Sequence, residues 1–141
     1  MPIQTLARKE VVTAAPDVSV EEVAKLMRDE SVGSVVITEN QRPIGIVTDR
    51  DLTNRVLADG ISPDSVAAED VMTTDLHTVG QDTGFYEVAE LMGEHGIRRL
   101  PVCSDEDDTL LGIITVDDLN ELLSDEHEQL ATVLEEQRPS Y

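Results

Sequence analysis

The chain is short of aromatic and basic side chains and of cysteine. In 141 residues it has no tryptophan, one phenylalanine, two tyrosines, one cysteine and ten bases, of which only Lys9 and Lys25 are lysines. A single cysteine excludes an internal disulfide and fits a reducing compartment. Cys103 follows Pro101-Val102 on an apolar run, the place of a packed thiol and not of a reactive one. The core must be aliphatic, and a hydrophobic content of 40% is enough to build one. No apolar run approaches the ~18 residues of a membrane-spanning helix. The opening MPIQTLARKE also lacks the apolar stretch of a signal peptide, so the expectation is a soluble, cytoplasmic protein with no membrane partner. His77, His95 and His127 share no metal-ligand spacing and Cys103 has no histidine partner in sequence, so neither a metal site nor a catalytic residue is expected.

Acids are abundant instead. There are 30 against 10 bases, a net charge of −20. They do not form a tail, because the windows 1–35, 36–70, 71–105 and 106–141 hold 6, 7, 6 and 11 of them. A chain that repels itself this strongly works against its own compactness. Molar salt, with a Debye length of ~3 Å, removes that repulsion. The composition points to a salt-rich cytoplasm such as that of a halophilic archaeon. Nucleic-acid binding is disfavoured, since duplex affinity comes from Lys and Arg neutralising phosphates.

The chain also states its pattern twice. Val23-Ala24-x-Leu26-Met27 falls on Val88-Ala89-x-Leu91-Met92, and Gly45-Ile46-Val47-Thr48 falls on Gly112-Ile113-Ile114-Thr115. Two copies of one supersecondary unit imply a pseudo-symmetric pair, each half unable to bury its apolar face alone. A pair of this kind makes a cleft between equivalent surfaces, where small ligands bind.

Each copy reads β-α-β-β-α. Short β-prone pieces, Val11–Thr13 and Leu76–Val79, precede turns at Ala15-Pro16-Asp17 and Gly80-Gln81-Asp82. Ser19 with Glu22 is a capping box, after which Val20, Val23, Ala24 and Met27 recur at helical spacing. Strands follow at Val32–Thr38 and Ile97–Cys103, then polar turns, then strands Ile44–Val47 and Leu110–Ile114, and a closing helix starts at Thr48 or Thr115. Residues 1–58 read as the first repeat, 59–70 as the connection, 71–123 as the second repeat and 124–141 as a helical extension. Val66–Met72 is a short helix leading into the second copy, and Ile3–Glu10 plays that part for the first, Leu6-Ala7 matching Val71-Met72. A stripe of Leu119, Leu122, Leu123, Leu130, Val133 and Leu134 runs to about Gln137; it suits either packing within the chain or an intermolecular helix contact, the second slightly favoured.

The most specific element is Gly45-Ile-Val-Thr48-Asp-Arg50-Asp51, repeated as Gly112-Ile-Ile-Thr115-Val-Asp117-Asp118. A strand ends at the Thr and a helix begins, so free N–H groups and the positive helix end suit a phosphate. The Thr hydroxyl adds a hydrogen bond, and a carboxylate one turn on accepts both hydroxyls of a ribose. Thr-x-x-Asp is also a plain capping box that needs no ligand. Two occurrences at matching places favour the ligand reading. Asp105–Asp108 could hold a cation loosely but lacks an EF-hand pattern and reads as a solvated loop.

These motifs, with Leu100-Pro101-Val102, Val12–Asp17 and Val71-Met72-Thr73, resemble a tandem pair of cystathionine-β-synthase (CBS) domains, a Bateman module, over residues 3–123. The resemblance implies an α/β fold in which two β-α-β-β-α units pack through their sheets about a pseudo-twofold axis. It implies adenosine ligands (AMP, ADP, ATP, S-adenosylmethionine or NAD, with or without Mg²⁺) as regulators, no required cofactor, and a homodimer that signals to an effector protein of unknown identity. Carried over to this chain, Thr48 and Thr115 hold phosphate and Asp51 and Asp118 hold ribose. The base rests near Thr13–Ala15 or Thr78–Gly80, against strands that include Ile37 and Pro101. No stretch resembles the barrel of IMP dehydrogenase, an enzyme that carries such a pair as an insert.

The copies differ where the ligand would lie. Arg50 of the first motif becomes Asp117 in the second, which favours phosphate at the first site. Against this, the second copy offers Arg98-Arg99 where the first has Gly33-Ser34. The arginines suit phosphates, or they face solvent and offset nearby acids such as Glu94. The expected function is a non-enzymatic ligand sensor; the rival is an interaction module whose Thr-x-x-Asp motifs are only caps.

Overall fold

The computed structural model describes residue 3 and residues 7–136. Val20–Glu30 forms helix α1 because Val20, Val23 and Met27 place one apolar stripe on the core, and Phe85–His95 (α4) repeats this with Val88 and Met92. The Ser19 hydroxyl accepts from the Glu22 N–H at 3.2 Å. Only that half of the expected capping box forms, since the Glu22 carboxylate turns to Lys25 at 3.7 Å. Both helices end on a left-handed residue, Ser31 (φ 55°) and Gly96 (φ 63°).

Each repeat contains one three-stranded sheet. In the first, β1 (Thr13–Ala14) runs parallel to β2 (Ser34–Glu39), which pairs antiparallel with β3 (Arg42–Thr48). In the second, β4 (Val79–Gly80), β5 (Arg99–Cys103) and β6 (Leu110–Thr115) repeat that order. The first strand of each repeat begins two or three residues later than the apolar runs suggest. The β2–β3 turn is two residues, Asn40 and Gln41, both at positive φ, as a tight hairpin with matching twist requires. The closing helix of the first repeat is short: α2 (Asp49–Leu52) passes into a π-helical turn, Thr53–Leu57. Its counterpart α5 (Val116–Glu136) runs 21 residues to the end of the described region, so the expected end near Gln137 lies outside it.

Side-chain alternation sorts the sheets into two faces. Val35, Ile37 and Val47 join the stripe of α1 in one core, and Leu100, Val102 and Ile114 join α4 in the other. Val36 and Pro101 point the opposite way and are still enclosed, because the repeats cover each other there. The hairpins also touch: the Leu110 N–H donates to the Gln41 carbonyl at 2.8 Å, and Arg42 Nε to the Asp107 carbonyl at 2.9 Å.

The lead-in segments change places. Helix α3 (Ala68–Val71), which precedes the second repeat, contributes Ala68 and Val71 to the core of the first. Ile3, which precedes the first repeat, is fully enclosed in the core of the second, with Ala7 packed beside it. Each segment then adds one bridge to the free edge of its host sheet. Thr73 exchanges hydrogen bonds with Ile46 at 2.9 and 3.2 Å, and Arg8 does so with Ile113 at 2.9 and 3.0 Å.

Candidate functional site

The two glycines of the repeated motif make these crossings possible. A Cβ on Gly45 would meet Met72 Cγ at 2.8 Å and the Thr73 carbonyl at 3.1 Å. A Cβ on Gly112 would meet the Arg8 carbonyl at 2.7 Å and Ala7 Cβ at 3.2 Å. The glycine therefore serves the exchanged segment, three residues before each Thr.

At both junctions the Thr and Asp are locked together. The Thr48 N–H donates to Asp51 Oδ2 at 2.9 Å and the Asp51 N–H to Thr48 Oγ1 at 3.2 Å. Thr115 and Asp118 do the same, both at 3.1 Å. Capping does not use up their chemistry. The Thr hydroxyl accepts, so its O–H proton is left to donate, and the second carboxylate oxygen still accepts. That oxygen is where the sites differ. Asp51 Oδ1 has Arg55 at 4.0 Å, a side chain mainly occupied with the Val71 carbonyl at 2.8 Å. Asp118 Oδ1 holds Arg8, at 2.8 Å to Nη2 and 3.1 Å to Nε. Burial pushes the Asp118 carboxyl up, but the bonds from Arg8 and Thr115 and the charge of Arg8 outweigh it and hold it below its ordinary value. Arg8 is raised in turn, chiefly by its bond to Asp118.

One expectation fails at the first junction. The N–H groups meant for a phosphate are taken: Asp49 donates to the Gly33 carbonyl at 3.0 Å, Arg50 to the Asp49 carboxylate at 2.8 Å, and Asp51 to Thr48. At the second junction the first of them, Val116, likewise donates to the Arg98 carbonyl at 2.8 Å. An anion at the first junction would depend on hydroxyls and arginines.

A cleft of ≈250 Å³ lies between the repeats. Val11, Val12, Val32 and Gly33 line it from the first repeat, and Thr115, Asp117 and Arg99 from the second, with Arg8 and Glu10 at the crossing strand. Gly33 forms part of the wall, and Asp49 Oδ2 and Arg99 Nη2 lie 3.3 and 3.4 Å from where its Cβ would stand. Of the residues expected at a ligand, this cleft brings together Thr115 and Arg99, with Asp118 behind Thr115. Thr48 and Asp51 sit at the other junction; Arg50, Thr13, Ala15 and Thr78 are exposed and do not line this cleft. Ile37 and Pro101 are fully buried, so their side chains belong to the interior and offer a ligand no surface. Arg98 lies 3.9 Å from Asp117, both exposed, in the charge-offsetting role. Arg8 is the cleft residue that the motif reading omitted. The signal was available: the alignment of Leu6-Ala7 with Val71-Met72 puts Arg8 on Thr73.

His77 stacks on His95 with ring centroids 4.0 Å apart. Among the described residues no three metal-ligating side chains converge. Cys103 is 5% exposed, and burial with the charge of Asp108 pushes its thiol up to about 11, an inert state at neutral pH. No helix of the described residues is long and apolar enough to cross a membrane.

The model of the CBS domain matches residues 3–58 and 68–125. An uncharacterized protein of Methanopyrus kandleri is 41% identical over 134 residues, 94% of this chain and 66% of its own length. A CBS domain-containing protein of Bacillus subtilis is 33% identical over 110 residues, 78% of this chain and 76% of its own length. The chain thus spans about two thirds to three quarters of these relatives. Among solved structures, a CBS domain pair in complex with 5′-methylthioadenosine and S-adenosyl-L-methionine superposes with a TM-score of 0.79, at 24% identity, over 89% of this chain and 98% of that one.

Proposed function

The chain belongs to the CBS-domain family as a tandem pair of its repeats, and we propose that it is a regulatory module that binds an adenosine ligand between those repeats and passes the event to a partner protein. The observation that carries this reading is the Thr115–Asp118 junction beside an inter-repeat cleft with arginines at its rim, matched by Thr48–Asp51 in the other copy. A Thr O–H and a guanidinium are donors for phosphate, and a carboxylate oxygen beyond the cap accepts ribose hydroxyls. The apolar wall of Val11, Val12 and Val32 suits a base. The solved complex with two adenosyl compounds supports the ligand class. Ligand would bridge the repeats and favour one arrangement of them, a shift that requires different affinity for the two arrangements. No step of this mechanism is catalytic.

Calorimetric titration with AMP, ADP, ATP, S-adenosylmethionine and NAD tests the reading. Saturable binding that weakens at least tenfold in the Asp51→Ala/Asp118→Ala double variant is the expected result. Unchanged affinity in that variant refutes the site assignment.

A second reading has its own support. Both capping boxes are complete without ligand, and α5 exposes Leu123, Leu130, Val133 and Leu134. Apolar surface on one helix suits a homodimer contact, and an interaction module acting through dimerisation would need no nucleotide. Sedimentation of a Leu130→Glu/Leu134→Glu variant tests it, a shift to monomer being expected.

A further inference from the structure

We infer that Arg8 is the anion-reading residue of the Asp118 cleft: without ligand it holds Asp118, and on binding it moves to the ligand's phosphate and leaves Asp118 to the ribose. This rests on the nucleotide reading above and names which ligands the cleft prefers.

The backbone of Arg8 is fixed by its two hydrogen bonds to Ile113, one residue past the motif glycine and two before Thr115. Its side chain is not fixed in the same way. It is 63% exposed, whereas the Asp118 side chain it holds is 12% exposed. An ion pair with one partner this exposed contributes little, so exchanging it for a phosphate is easy. The destination is close, because Arg8 and Arg99 both line the cleft together with Thr115. A planar guanidinium matches phosphate oxygens in pairs. Two of the main-chain donors at this junction are meanwhile spent, Val116 on the Arg98 carbonyl and Asp118 on the Thr115 hydroxyl. The cleft, ≈250 Å³, also falls just short of the ~300–1,000 Å³ usual for small-molecule sites. Arg8 is one of the side chains narrowing it.

The same arrangement disfavours an uncharged nucleoside, which must compete with Arg8 for the carboxylate and brings nothing for the guanidinium to bind. Asp117 and Glu121 also face Arg8, so a guanidinium that has left Asp118 needs a new anion to meet. At the other junction Asp51 Oδ1 has Arg55 only at 4.0 Å, and that side chain bonds the Val71 carbonyl. Thr73 occupies the place equivalent to Arg8, on the bridge to Ile46.

The test is titration of the full chain with AMP and with adenosine, in native protein and in Arg8→Gln and Arg8→Lys variants, with circular dichroism to verify folding. Arg8→Gln is expected to weaken AMP at one site tenfold or more while adenosine binds as before or more tightly. Arg8→Lys recovers part of the loss, and if the glutamine variant fails to fold, the lysine variant's smaller AMP-selective loss carries the comparison. Equal factors for AMP and adenosine, or no change for AMP, overturn the role of Arg8 and leave the nucleotide reading standing. Native protein that binds neither compound overturns the role of Arg8, and the nucleotide reading falls with it only if ADP, ATP, S-adenosylmethionine and NAD fail to bind as well.

Discussion

Replacing Gly112 by alanine measures how tightly the exchanged N-terminal segment is held. The new Cβ would stand 2.7 Å from the Arg8 carbonyl and 3.2 Å from Ala7 Cβ. Strand β6 is anchored along its length by β5, so the segment outside it must yield. Overpacking of this kind costs about 1–3 kcal/mol. If the segment lifts, two hydrogen bonds go as well, at about 1 kcal/mol each. Part of the burial of Ile3 goes with them, and a fully buried Ile contributes about 1.5–3 kcal/mol. Restricting the unfolded chain returns about 0.5–1 kcal/mol. The net expectation is a loss of about 2–4 kcal/mol, or roughly 10 °C in midpoint for a chain of this size. Without tryptophan, the assay is far-UV circular dichroism under heating or urea, with hydrogen exchange at the Ile113 amide as the local readout. Gly93→Ala is the control. It has open space around its Cβ within α4, where alanine is favoured by about 0.8–1 kcal/mol, so it should stabilise. A Gly112→Ala protein within about 0.5 kcal/mol of native, with Ile113 still protected, refutes the tight crossing.

Two further outcomes follow from charge. Asp118 is held below its ordinary value of about 3.9, so its ionised form contributes stability above that pH and loses it as pH falls through the lower folded value. The stability gap between native protein and Arg8→Gln is therefore widest above about pH 4 and closes below it; a gap that widens on acidification contradicts this. With a net charge of −20, the thermal midpoint should rise as KCl goes from ~0.1 to ~2 M. A flat response would mean that self-repulsion is negligible.

The architecture was legible because each repeat is built from local signals. The stripe Val20, Val23, Met27, the polar hairpin at Asn40-Gln41 and the Thr-x-x-Asp caps each act within a few residues. Alternation of side chains also separates Val35 and Ile37 from Val36. The side chain of Ile37 shares the helix-facing side with Val35, so only its main chain is left to meet a ligand. What the sequence could not reveal is which repeat each lead-in segment serves. Two near-identical sheets offer near-identical edges, and only packing decides that Ala68 and Val71 go backward and Ile3 forward. The Arg8–Asp118 pair spans 110 positions and inherits that ambiguity. The spent N–H groups at Asp49 and Arg50 depend on a carbonyl at Gly33 and a local carboxylate, which no motif records.

The exchange of lead-in segments also sets an order of events at the ribosome. The first repeat lies open until residues 68–73 emerge, so a nascent chain of 58 residues holds an unfinished interior. The amino-terminal segment waits longer still, since the pocket for Ile3 includes Leu119. For most of synthesis the chain carries a loose hook and a vacant eye. In crowded polysomes a hook that reaches a neighbour's eye first would leave two chains interlocked, with every native contact satisfied.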